Sequence, residues 1–187
     1  MASAPTHILA TSAVAVFFAR PSVRWHLWLW GAVLAVLPDL DVIGFRLGVA
    51  YGDMLGHRGL SHSLVFAGLV SGAVVFFVYR TGAGALTPGQ VWLFLFLATV
   101  LHGVLDAFTN GGLGIAFFAP FTNERYFFPF RPLEVSPLSV RRFLTGNGDV
   151  ILANEIRWVW LPSTVVVASV LGYRFVHRPT NIPSRAA

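Results

Sequence analysis

The chain has no cysteine, no lysine and few charges of either sign. Without cysteine there is no disulfide framework and no thiolate metal site. Any metal must be held by nitrogen and oxygen, that is by His, Asp, Glu, carbonyl or water. Without lysine, all 13 basic residues are arginines, against 8 acidic ones, for a formal net charge of +5. Those arginines serve either to anchor the chain at a membrane surface or to grip phosphate, for which the planar guanidinium is well shaped. Charged residues make up only 11% of the sequence, whereas a soluble domain carries about 25%. With 56% hydrophobic residues and a mean hydropathy of +0.70, the composition excludes an ordinary soluble domain and predicts an integral membrane protein. No basic stripe with interleaved aromatics lies on a polar segment, so nucleic acid is not an expected partner.

What is present reads as an all-α, integral membrane helical bundle of about five transmembrane helices. The 187 residues form a single membrane domain, 1–187, expected to be multi-pass in the cell membrane. Helices are predicted over 6–19, 25–38, 61–79, 90–108 and 156–176. The first is short for a span, but its flank lacks the basic region of a signal peptide, and Thr6 is a candidate N-cap. Trp25, Trp28 and Trp30 suit an interfacial belt, and Pro38 ends or kinks the second helix. Val42 to Gly56 reads as a Gly-rich linker or interfacial segment. The long surface loop after helix four, 109–155, is too aromatic for disorder and is expected to lie over the membrane surface and cap a site. A basic tail follows, with Arg178 and Arg185.

Polar residues in this greasy chain are clustered. Leu55 to Ser63 holds two histidines, an arginine and two serines; Pro38-Asp39-Leu40-Asp41 precedes it and His102-Gly-Val-Leu-Asp106 follows. Ionisable groups at membrane depth are costly and are a functional-site hypothesis by default. With five spans alternating in direction, His7, Asp39, Asp41, His57, His62, His102, Asp106 and Glu155 all fall on the side of the N-terminus. His26 and His177 fall on the other side and read as interfacial or solvated. The arginine count is nearly even between the two sides, so the positive-inside rule leaves the orientation open.

Each cluster has a chemical and a plain reading. His102 and Asp106 are four apart on one helix face and can grip one ion, or can hydrogen-bond each other between helices. Asp39 and Asp41 can converge on one centre or bridge two ions, or can be solvated at a helix end. The macrodipole disfavours carboxylates there unless a cation is near. His57 and His62 can both be ligands only if a loop enters a helix between them, with Ser61 or Ser63 as its cap. That N-terminus, with Arg58 beside it, would present donors to an anion. Cation ligands beside anion donors are what metal-assisted phosphoester hydrolysis requires, the metal lowering the pKa of a bound water. His7, Glu155, Asn110 and Glu124 are weaker candidates on residue type alone.

The order Thr6-His7, Pro38-Asp-x-Asp41, His57-Arg-Gly-x-Ser-His-Ser63 and His102-x-x-x-Asp106 resembles the YdjM family of inner-membrane proteins, some of them under LexA control. The resemblance covers more than half the chain, and Ser61 stands where many members are expected to have threonine. It implies a metal-dependent hydrolase of the bacterial or archaeal inner membrane, with His7, Asp39, Asp41, His57, His62, His102 and Asp106 as metal ligands. The His-x-x-x-Asp helix is also similar to one in zinc-dependent phospholipase C, an analogy of fold only. The expected activity is hydrolysis of a phosphoester of a lipid or amphiphile, with one or two divalent ions (zinc first, then manganese or magnesium). Asp39, Arg58 and Glu155 are the candidate catalytic residues, a carboxylate serving as general base. Two alternatives stay open: a divalent-metal or proton transporter using the same cluster, and a structural protein whose polar cluster locks helix packing. The bilayer is the one partner the sequence implies besides a substrate; it does not reach the oligomeric state.

Overall fold

Helix boundaries in the computed structural model, which describes residues 1–177, follow local chemistry. α1 (Ala4–Phe18) and α4 (Pro88–Ala107) both begin with proline in the first turn, where the missing N–H costs nothing. At α4, Thr87 and Gln90 form a reciprocal capping box, which satisfies two orphan N–H groups. α2 (His26–Val36) stops just before Pro38, but the chain does not become a linker there. It tightens into a 3₁₀ helix, Leu37–Leu47, closed by Gly48 at φ 80°. Three-residue periodicity over that length is unusual. It replaces the first part of the expected linker, Val42 to Leu47, with helix, and from Gly48 to Gly59 the chain is irregular.

A short 3₁₀ turn, Leu60–His62, leads into α3 (Leu64–Val78). Ser63 is the cap, accepting from the Phe66 N–H at 3.0 Å, so α3 starts two to three residues later than predicted. The loop after α4 is irregular to Ser139 and then helical. α5 (Val140–Thr145), α6 (Gly148–Glu155), a π turn (Ile156–Trp160) and α7 (Leu161–Val176) follow. The last long helix therefore begins at Gly148, not Ile156. Among the described residues there are no strands, only three isolated bridges. Arg178 and Arg185 of the predicted tail lie outside the described residues.

Among the described residues, three helical stretches are long and apolar enough to cross a membrane: His26–Leu47, Pro88–Ala107 and Gly148–Val176. α1 and α3 are apolar but shorter. α4 is the central one, packed against α1, α2 and α3. Its buried stripe runs Val91, Phe94, Leu95, Ala98, Thr99, His102, Gly103, Asp106, the spacing of one helix face. One end of that stripe is hydrocarbon: Leu27, Leu34, Val74, Tyr79, Val91, Phe94 and Leu95 form a closed core. Gly31 makes room for the Phe94 ring, since a Cβ there would sit 2.6 Å from it. The same periodicity, continued two turns further, carries His102 and Asp106 into the interior.

Candidate metal centre

Three elements deliver four side chains to one point. The 3₁₀ helix after α2 brings Asp39, the turn before α3 brings His62, and α4 brings His102 and Asp106. One ligand atom from each of these four residues lies within 4.8 Å of all the others. His62 Nε2 and His102 Nε2 are 3.1 Å apart. Asp39 Oδ1 is 3.3 Å from His102 Nε2 and 3.9 Å from His62 Nε2. Asp106 Oδ2 is 3.9 Å from His62 Nε2 and 4.0 Å from His102 Nε2. The side chains of His62, His102 and Asp106 are fully buried, and that of Asp39 is 12% exposed.

The far side of each imidazole fixes its tautomer. His102 Nδ1 lies 2.7 Å from the Ala35 carbonyl, which can only accept. His62 Nδ1 lies 3.2 Å from the Asp41 carboxylate and 3.0 Å from the Ser61 hydroxyl. Both Nδ1 atoms therefore carry the proton, and in the neutral ring Nε2 presents a lone pair. Burial pushes the His62 imidazole down to about 4, so it is neutral near pH 7, the form that binds metals. Two lone pairs at 3.1 Å do not make a hydrogen bond. Neither oxygen of Asp39 has a hydrogen-bond donor, and Asp106 Oδ2 has only its ion-pair contact with Arg58 Nε. Buried carboxylates left so are costly. A proton on His102 Nε2 would relieve the nitrogen contact and give Asp39 Oδ1 a donor at 3.3 Å, but would leave Asp39 Oδ2 without one; a divalent cation satisfies all four groups. Two imidazoles and two carboxylates, the imidazoles held from behind by a carbonyl and a carboxylate, fit a divalent metal ion.

The other predicted residues take distinct places. His57 and Asp41, with His62, form a second group able to hold an ion, His57 Nδ1 being 2.6 Å from Asp41 Oδ1. His7 stacks on His102 at 3.8 Å between ring centroids, with its Nε2 3.5 Å from Asp106 Oδ1. It sits behind Asp106 and outside both groups.

Arg58 is fully buried, and its guanidinium faces inward. It donates to the carbonyls of Gly111 and Leu113 and to Thr109 Oγ1, at 2.7 to 3.0 Å, while Nε lies 3.3 Å from Asp106 Oδ2. It clamps the post-α4 loop to the site rather than offering a free fork to phosphate. Glu155 is also buried, and accepts from the Ser3 N–H, the Ser3 hydroxyl and the Thr6 hydroxyl. It staples the start of α1, whose Ala2 N–H reaches Asp106 Oδ1 at 2.8 Å. Asn110 and Glu124 bond to Glu134 and Tyr126. His26 meets the Tyr79 hydroxyl at the other end of the bundle.

Sequence reasoning missed the Ala35 carbonyl, which carries no side-chain signal at all. It also missed Thr109 and the Ser3 hydroxyl, and it read Thr6 as an N-cap, whereas Ser3 is the N-cap of α1 and the Thr6 hydroxyl donates to Glu155. Arg125 donates to the carbonyls of Tyr51, Asp53 and His57 and ties the loop across the site.

A family model described as YdjM inner membrane protein matches residues 1–180. The chain belongs to the YdjM inner membrane protein family. It is 41% identical over 137 residues to the inner membrane protein YbcI of Escherichia coli (strain K12), covering 73% of this chain and 78% of that protein. No solved structure matches it. Membership and the apolar helices make it a multi-pass inner-membrane protein, with His and Asp groups able to hold a metal ion.

Proposed function

We propose that this YdjM-family protein is a membrane-embedded metal-dependent hydrolase that cleaves a phosphoester of a lipid or other amphiphile. The observation that carries the reading is the bare carboxylate of Asp39, facing two Nε2 lone pairs at the one partly open edge of a buried cluster. Asp39, His62, His102 and Asp106 would hold the ion. A divalent ion there supplies Lewis acidity and brings the pKa of water toward neutrality. Asp39 is the most exposed of the four, so substrate and water arrive past it. Its second oxygen is free to take a proton as general base. Next to it the 3₁₀ helix exposes Leu40 and Ile43, an apolar rim along which the tail of an amphiphile can lie. The Arg58 and Arg125 guanidiniums hold the loop that closes the site, leaving the charge of a phosphoester to be met by the cation.

The transporter alternative needs polar groups through the depth of the bundle. Beyond the cluster the interior is the Leu27–Leu34–Phe94–Leu95 core, and the Thr11 and Thr99 hydroxyls there turn back onto their own helix carbonyls. That supports chemistry at one face over passage. The test is hydrolysis of bis-p-nitrophenyl phosphate and of phosphatidylcholine vesicles by the detergent-purified chain loaded with zinc, manganese or magnesium. Turnover that needs the metal and falls at least about 100-fold in Asp39→Asn, with the unfolding of the metal-free chain unchanged, is expected. A folded, metal-loaded chain that hydrolyses neither substrate overturns the proposal.

A further inference from the structure

We infer that Asp41 is a positioning residue and not a metal ligand, so that the centre takes a single divalent cation, on Asp39, His62, His102 and Asp106, and the adjoining Asp41–His57–His62 group takes none. The inference rests on the metal centre of the proposed function and not on the reaction assigned to it.

Asp39 and Asp41 are two residues apart on a 3₁₀ helix. At three residues per turn they point about 120° apart, so one helix presents two carboxylates to two different places. His62 stands between them, with Nε2 toward Asp39 at 3.9 Å and Nδ1 toward Asp41 at 3.2 Å. The donors around the two carboxylates then differ completely. Asp41 Oδ1 takes His57 Nδ1 at 2.6 Å. Asp41 Oδ2 takes the Arg58 backbone N–H at 3.0 Å, the Ser61 hydroxyl at 2.6 Å and His62 Nδ1 at 3.2 Å. A carboxylate has about four lone-pair sites, two on each oxygen; the donors around Asp41 take up both sites of Oδ2 and one of Oδ1. A cation shared by Asp41, His57 and His62 would have to displace the two ring N–H donors from the carboxylate, and both rings are buried. Another of the donors belongs to Arg58, whose φ of 64° lies in the left-handed region, so Asp41 also secures that turn. Asp39 has no donor on either oxygen. It has the coordination capacity that Asp41 lacks.

The arrangement gives Asp41 the role of holding the His62 ring and its tautomer from behind, as carboxylates do behind metal-bound histidines. The test is metal content and affinity of the full chain in detergent micelles, loaded with Zn²⁺ or Co²⁺ and desalted. Wild type should retain one ion per chain. Asp39→Asn should lower affinity at least about 1000-fold, while Asp41→Asn should keep one ion with affinity about 10–100-fold lower and the cobalt visible spectrum at wild-type intensity. Two ions in the wild-type chain overturn the inference, as does loss of metal from a folded Asp41→Asn as complete as from Asp39→Asn. If Asp41→Asn does not fold, Ser61→Ala removes one donor from Asp41 and should also keep one ion; its loss there overturns the inference. One ion bound without any hydrolysis overturns the activity and leaves this inference standing. Two ions with hydrolysis do the reverse, and no ion at all overturns both.

Discussion

Replacing Arg58 separates a phosphate-binding arginine from a structural one. Its side chain and that of Asp106 are both fully buried. Deleting one partner of a buried ion pair costs about 3–5 kcal/mol, because the other charge is left uncompensated. Arg58→Ala also strips the carbonyls of Gly111 and Leu113 of their guanidinium donor, at about 1–3 kcal/mol each if they stay dry. The total is at least about 5 kcal/mol, a large part of the 5–15 kcal/mol typical of a whole domain. At about 2–4 °C per kcal/mol for a chain of this size, the unfolding midpoint should drop by about 10–20 °C or the protein should fail to accumulate. Arg58→Lys keeps the charge, but one ammonium has three donors and cannot span Gly111, Leu113, Thr109 and Asp106 together. It should lose about half as much. Both residues carry unbranched side chains at the same positive φ, so backbone strain does not confound the comparison. The six tryptophans report unfolding directly by fluorescence in detergent. An Arg58→Ala chain that melts within about 2 °C of wild type yet loses phosphoester turnover would refute the structural account and restore the phosphate-gripping one.

Glu155→Gln puts an amide where two hydroxyls and an N–H need an acceptor. It should destabilise the chain by about 1–3 kcal/mol and make residues 1–6 more sensitive to protease. If Glu155 were the general base, the same variant would melt normally, resist protease and lack only turnover. Gly31→Leu should force the Phe94 ring away from α2 and cost about 1–3 kcal/mol by overpacking, lowering the melting midpoint without altering metal content, since the site lies at the other end of α4. Zinc at a thousandfold excess over its Kd should stabilise wild type by about 4 kcal/mol, read as a rise of about 8–16 °C. His102→Ala should show no such rise, and an equal rise in that variant would place the ion elsewhere.

The place of the site was legible in the sequence, but the division of labour within it was not, and the reason is physical. Hydropathy and helical spacing are properties of neighbours in the chain. They put His102 and Asp106 on the buried face of α4 and all the His and Asp clusters at one end of the bundle. The kink at Pro38 was equally local. What it became, a 3₁₀ helix that aims Asp39 and Asp41 in different directions, depends on what each carboxylate meets. Asp41 meets the donors of His57, Arg58, Ser61 and His62, all sixteen or more residues away. Asp106 is held by Ala2, 104 residues away, and Glu155 by Ser3, 152 residues away. Residue type alone cannot distinguish a carboxylate already supplied with donors from one that lacks them, and that difference separates a positioning group from a ligand. Arg58 shows the same thing with the charge reversed. In the sequence it is a cation beside two histidines and reads as an anion trap, until the carbonyls of a loop more than fifty residues downstream turn toward it and leave it nothing to give away.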